Sequence, residues 1–422
     1  MKLTFAAGLI ALSLSTALFG CAEPKPRVQT TSTSSSKVAV PSAESDALAR
    51  RVDAVLDAAV AEGRIVGTVA IVAKDGAIVY RRAAGFADRE GHVRMREDTP
   101  FRLASMTKPI VSATALALVD RGALHLDDPV TKYLPNFRPH LADGRVPVIT
   151  VRQLLTHTSG LNYGFFEPNG EGPYHRERVS DGLDQPGLSL EENLTRLGRT
   201  PLLFEPGTKW NYSLSTDVLG AVIAKAGGAP LPDLVARFVT GPLGMDASFS
   251  PPADPARLAV PYADGKPRAT RMSDPQLVPL FDGAVSFSPS RVFDARSYAS
   301  GGAGMVGTAD GYIKFLEAVR TGAGKVLSPA SATAFTTNQV GNLEAMQPGG
   351  KWGFSFGLAV LKTPDPTMPS HPGTLQWGGA WGHSFFVDPT EKLSVVVLTN
   401  TAFAGMIGAF PDAVRNAVYG TK

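Results

Sequence analysis

The chain has 422 residues, 44% hydrophobic and 19% charged, with a formal net charge of +3 from 41 basic and 38 acidic side chains. That balance is globular and long enough for one large domain or two ordinary ones with a sizeable core. There is no dense basic run, so no nucleic-acid partner is expected, and a single cysteine excludes an intramolecular disulfide.

Met1-Lys2 is a short basic opening, and Leu3 to Phe19 is apolar and uncharged. This predicts an export signal over residues 1–20, too short and wrongly flanked for a stable membrane span. Leu18-Phe19-Gly20-Cys21 resembles a bacterial lipoprotein box. The resemblance implies lipidation of Cys21 and an exported chain, held in the periplasm or cell envelope by a lipid anchor in the membrane. The alternative is a signal cut elsewhere, with Cys21 discarded. Residues 21–41 are rich in Ser, Thr, Pro and Lys and read as a flexible tether.

From Ser42 a helix is expected, with Leu48, Val52, Val55, Leu56, Ala59 and Val60 at helical spacing and Gly63 as its stop. Thr68–Ala73 and Ala77–Ala84 read as a hairpin around Asp75-Gly76. The apolar run Ile110–Val119 reads as a helix ending at Gly122. Ile149–Thr156 is a short helical piece, and Tyr163–Gly187 a long loop of the kind that often carries function. Val218–Ala226 and Leu231–Phe238 look helical, Ala253–Val292 irregular, and a helix starts at Thr308. Gly353–Leu361 alternates as one strand. Leu375–Gly379, His383–Val387 and Lys392–Leu398 are further strands, and Pro411–Tyr419 is a closing helix. Strands at both ends predict one sheet assembled from about 42–100 and 290–422, with a helical insert over about 101–289.

Ser105 and Lys108 are three residues apart, so at the start of a helix the amine lies beside the hydroxyl. A serine hydroxyl is a weak nucleophile until something takes its proton, and a lysine out of solvent can do so. Attack on a carbonyl also needs oxyanion donors and a proton for the leaving group. Tyr212 could relay that proton, although a tyrosine there could equally be an anchor between loop and helix. In Trp377-Gly378-Gly379-Ala380 the glycines would let an edge strand bring its backbone close to a ligand. Gly353-Phe354-Ser355-Phe356-Gly357 fits Gly-x-Ser-x-Gly, but that elbow needs a helix after the turn, and the alternation here runs on. His157, at the end of a short helix, reads as structural, able to bond carbonyls there. No spacing suits a metal, and no cofactor is expected.

Together these stretches resemble the serine β-lactamase and penicillin-binding-protein superfamily, and within it the family VIII carboxylesterases. Ser105-Met106-Thr107-Lys108 looks like the Ser-x-x-Lys motif, and Leu154-Leu155-Thr156-His157-Thr158-Ser159-Gly160-Leu161 like a structural segment. Tyr212 matches the tyrosine of the second motif, and Trp377-Gly378-Gly379 stands where class C enzymes carry Lys-Thr-Gly. Gly301-Gly302 and Thr308-Ala309-Asp310 fit a structural segment between them. The resemblance implies an α/β (α+β) fold, β-lactamase-like, with a mainly antiparallel sheet flanked by helices and an inserted all-helical region. It implies that Ser105 is the acylated nucleophile, that Lys108 and Tyr212 move its proton, and that the N–H groups of Ser105 and Ala380 hold the oxyanion.

Two departures matter. Leucine at 214 replaces the second motif's asparagine, and Trp377 replaces a lysine that would meet a substrate carboxylate. A pocket without these polar groups suits a neutral small-molecule ester of short or medium acyl length, unless Arg291, Arg296 or another cation substitutes. The alternatives are a class C-like β-lactamase or D,D-peptidase, an acyltransferase on the same site, and a non-catalytic envelope protein that keeps the fold.

Overall fold

The computed structural model describes residues 43–346 and 349–421. The expected leader, the expected tether and Cys21, the expected lipidation site, fall outside them.

Helix α1 (Ala43–Ala61) buries Leu48, Val52, Leu56 and Ala59, the stripe that its spacing dictates. Strands β1 (Gly67–Lys74) and β2 (Ala77–Asp88) follow as a hairpin, then β3 (Val93–Arg94). The sheet resumes far down the chain with β4 (Trp352–Phe354), β5 (Ala359–Leu361), β6 (Leu375–Gly379), β7 (His383–Asp388) and β8 (Leu393–Thr399). These eight strands lie in the order β4-β5-β6-β7-β8-β1-β2-β3, every neighbour antiparallel. The seam between the two halves is β1 against β8, registered from Thr68↔Thr399 to Lys74↔Leu393. Both strands are rich in β-branched residues and buried almost throughout, as central strands covered on both faces must be.

Four helices besides α1 position the site: α2 (Thr107–Val119), α3 (Ser215–Gly227), α4 (Ala309–Arg320) and α5 (Ala409–Tyr419). Helices α1 and α5 cover one face, packing Leu56 and Val414 with Val72 and Val395. Helix α4 packs Ile313 and Leu316 with Ile71 and Val396 on the other face, and α2 and α3 share that larger core. The fold is therefore the mixed one expected, a mainly antiparallel sheet flanked by helices with helical segments between its halves. Among the described residues no single helix is long and apolar enough to cross a membrane.

Several local expectations need correcting. Gly353–Leu361 is not one strand but the β4–β5 hairpin, pairing Trp352 with Leu361 and Phe354 with Ala359. The chain turns because Gly357 sits at φ 97°, and Ser355 N donates to Leu358 O at 2.8 Å. Alternation of apolar residues reads the same along a straight strand and around a tight hairpin. Ala253–Val292 contains a hairpin of Gln276–Leu280 with Gly283–Phe287. Tyr163–Gly187 holds three short helical turns, at Gly164–Phe166, Pro168–Gly170 and Pro173–Arg176. Helices at Leu190–Gly198 and Pro329–Thr336 were not expected, although each starts at a serine cap, Ser189 and Ser328.

Candidate active site

The turn that carries Ser105 is held from several sides. Leu103 N donates to Met305 O at 2.8 Å, and the Tyr312 hydroxyl donates to Met106 O at 3.0 Å. Ser105 lies in the tight turn Ala104–Met106, and the α-helix proper begins only at Thr107. Ala104 just before it has φ 45°, an uncommon conformation for a residue with a Cβ. Pro109 is the third residue of α2, in the first turn, where its missing N–H breaks no bond within the α-helix.

His383 anchors the two-residue strand Phe101–Arg102 that leads into this turn. Its Nδ1 accepts from Thr399 N at 3.2 Å, which leaves Nε2 to donate to Arg102 O at 2.7 Å. Burial holds the imidazole at a pKa of about 4, below the ordinary 6.5. The unfolded chain therefore takes up a proton that the native state refuses between those values. This contribution is complete above pH 6.5 and is lost as pH falls toward about 4, a change of about 3 kcal/mol for this one group. Denaturant titrations from pH 7 to 4 should show that decline, and His383→Gln should make it shallower, the buried His157 keeping its own share. An equal decline in the variant would assign the effect elsewhere.

Lys108 is 1% exposed. Its Nζ donates to Ser105 Oγ at 3.2 Å and to Gly302 O at 2.9 Å. From another segment, the Tyr212 hydroxyl donates to Ser105 Oγ at 2.6 Å. The serine oxygen is bracketed by two groups that can each exchange its proton, and Lys108 Nζ sits 4.7 Å from the centre of the Tyr212 ring.

Tyr212 is mounted on the segment around His157. Asn211 N donates to His157 O at 2.9 Å, and Ser213 N donates to His157 Nδ1 at 3.2 Å. The Ser213, Ser215 and Ser159 hydroxyls continue the chain at 2.8 and 2.7 Å. The imidazole ring lies 5.0 Å from that of Tyr212, and burial pushes its pKa well below the usual value, so it packs as a neutral ring. His157 is structural, as expected, but its ring bonds the tyrosine's own loop and not the helix-end carbonyls that its position suggests.

Strand β6 closes the other side. The Trp377 ring stands 5.2 Å from Tyr212 and 5.4 Å from Phe354. At Gly379 a Cβ would come 2.4 Å from Leu103 O, so only glycine lets this strand lie against the chain entering the Ser105 turn. Ser105, Trp377, Gly378 and Ala380 all line one cavity of ≈ 540 Å³, within the range of small-molecule sites. Gly379 packs behind it.

The remaining candidates fall elsewhere. Ser355 is fully buried and its Oγ has no partner. Asp365 is taken by Lys351 and Thr367, and His383 by backbone, so no second triad exists around the Gly-x-Ser-x-Gly pattern. Arg291 bonds Asp184 O and Tyr298 O, and Arg296 pairs with Asp294; neither lines the cavity.

Sequence reasoning missed the group behind Lys108. Asp217 is 2% exposed; it accepts from Ser300 Oγ at 2.6 Å and leaves Oδ2 unpartnered. Asp217 Oδ2, the Tyr163 hydroxyl and Lys108 Nζ crowd one side of Gly302, at 2.4, 3.1 and 3.3 Å from where a Cβ would stand. Burial raises the Asp217 pKa, against the pull of Ser300 and then of Lys108. A carboxylate in the first turn of an otherwise apolar helix was the available signal, and it reads equally well as a dipole partner. Tyr163, Phe165 and Phe166 also line the cavity, which makes part of the long loop a wall of the site.

Fold and centre together point to a class, the serine hydrolases in which a serine, a lysine three residues further on and a tyrosine from a distant segment meet at one oxygen. The comparisons narrow this. Residues 52–415 match the family model described as Beta-lactamase. The chain is 52% identical over 383 residues to Esterase EstB of Burkholderia gladioli, covering 90% of this chain and 97% of that one. Lovastatin esterase of Penicillium rubens is 27% identical over 378 residues, covering 81% and 90%. Among solved structures, EstCE1, a hydrolase with promiscuous acyltransferase activity, superposes with a TM-score of 0.84 at 44% identity, covering 90% of this chain and 100% of that one. The chain belongs to the beta-lactamase family, within the superfamily of serine β-lactamase and penicillin-binding-protein-like esterases.

Proposed function

We propose that the protein is a serine carboxylesterase that cleaves neutral esters of short or medium acyl length through an acyl-enzyme on Ser105. The observation that carries this reading is the bracketed serine oxygen, with Tyr212 at 2.6 Å and Lys108 at 3.2 Å. Ser105 Oγ bonds to the ester carbonyl carbon as its proton passes to the Tyr212–Lys108 pair. Backbone N–H groups of Ser105 and Ala380 hold the oxyanion. The pair then returns the proton to the departing alcohol and takes one from the water that frees the acid. Asp217 and the Gly302 carbonyl pack behind Lys108 and hold the amine toward Ser105.

The ester preference rests on what surrounds the serine. Trp377 stands where a cation would meet a carboxylate, and neither Arg291 nor Arg296 reaches the cavity. Arg415, at its far end, is already paired with Asp412 and Gln376 at 2.9 and 3.1 Å. Losing one charge-assisted hydrogen bond costs an anionic substrate roughly 10- to 100-fold. Hydrolysis of p-nitrophenyl butyrate should therefore exceed that of a cephalosporin in kcat/KM by at least about that factor. A preference for the cephalosporin would replace this reading with the β-lactamase one.

Acyl transfer to an alcohol is a second outcome of the same acyl-enzyme, favoured by the apolar walls and by the promiscuous acyltransferase activity of EstCE1. Product analysis with added alcohol separates the two. Export and a lipid at Cys21 belong to this proposal on the N-terminal sequence alone, and partition of the mature chain between membrane and soluble fractions decides them.

A further inference from the structure

The cavity at Ser105 does not end on the catalytic face of the sheet. Side chains alternate along β6, β7 and β8, so Trp377, Phe385 and Val396 face the site, while Gln376, Ser384, Phe386, Val395 and Val397 face α5. The same cavity is lined by Ser105 and Tyr212 at one end and by Val395, Val397 and Val414 at the other. It has a limb on each face.

Two features of the sequence open the second limb. β6 pairs with β5 only at Gln376 and Leu375, so from Trp377 onward it has no strand on that side. The cross-strand row behind it runs Gly378↔Ser384↔Val397↔Ala70, small residues on four strands. A Cβ at Gly378 would stand 2.8 Å from Met406 Cγ, so any side chain there would narrow the passage. Pro411 and Val414 of α5 form the roof. The limb crosses two strand spacings, about 10 Å. Its walls are chiefly apolar, and Gln376 and Asp412, each accepting from Arg415, also line the cavity.

We infer that the limb between β6–β8 and α5 is a subsite for an extended apolar chain of the ester, and that the small row Gly378–Ser384–Val397 sets the chain length accepted. The inference rests on the ester reading above and adds where the chain goes. Each methylene drawn from water into such a limb strengthens binding about fourfold.

The test fills the limb from two different elements, with Ser384→Leu on β7 and Val414→Phe on α5. For each protein kcat/KM is measured on p-nitrophenyl acetate, butyrate, octanoate and decanoate, and on acetate esters of alcohols of matching lengths. The wild type should rise with length in one of the two series. In either folded variant the long ester of that series should lose at least about tenfold more than its shortest member. Which series responds says whether the acyl or the alcohol chain enters. Length profiles that match the wild type in both series, in a variant with a cooperative melt, would overturn the subsite. No wild-type turnover of any ester would overturn the ester reading and the subsite with it.

Discussion

Replacing Ser105 with alanine should lower turnover of p-nitrophenyl butyrate by about 10⁴-fold or more, because no other serine lining the cavity has a lysine and a tyrosine on its oxygen. Ser355→Ala is the matched control, expected to stay within about threefold of wild type. Both serines sit in patterns that can mark a nucleophile. Only Ser105 has a lysine and a tyrosine on its oxygen and opens on the cavity. Ser355 is sealed in the β4–β5 turn with its hydroxyl bonded to nothing, so its removal leaves no group unsatisfied. Loss of activity in a folded Ser355→Ala protein, with Ser105→Ala still active, would move the chemistry to the other pattern.

Tyr212→Phe should lower kcat by about 10²- to 10⁴-fold, the usual worth of a positioned proton carrier, with little change in KM. The substitution spares the packing. The ring keeps its contacts with His157, Tyr163 and Trp377 at 5.0, 5.1 and 5.2 Å, and the melting temperature should move only a few degrees. What disappears is the hydroxyl at 2.6 Å from Ser105 Oγ. Near-normal kcat would leave Lys108 as the sole proton carrier and remove Tyr212 from the mechanism.

The sequence was most legible where short patterns carry their own geometry. Ser105 and Lys108 are fixed relative to each other by one turn of chain, and the Asp75-Gly76 turn fixes the first hairpin. Tyr212 lies 107 residues from Ser105, and only a second recognisable stretch could place it. What stayed hidden depends on tertiary context. Asp217 is two residues into α3, where the same aspartate would be unremarkable on a solvated helix; burial next to Lys108 gives it weight. The β4–β5 turn was read as strand because its apolar residues alternate on both sides of the bend. His157 was read from its place at a helix end, but its partners come from the Tyr212 loop. The second limb of the cavity follows from a row of small residues on four strands, a pattern visible only once the register is known.

One measurement bears most directly on the proposal that Ser105 carries the acyl group. The wild-type protein is treated with a p-nitrophenyl alkylphosphonate, digested, and its peptides mapped by mass. A single phosphonyl group on the peptide containing Ser105, with loss of ester turnover in proportion to labelling, is the expected result. Full inactivation with the group on Ser355 or any other residue, and Ser105 unmodified, would contradict it.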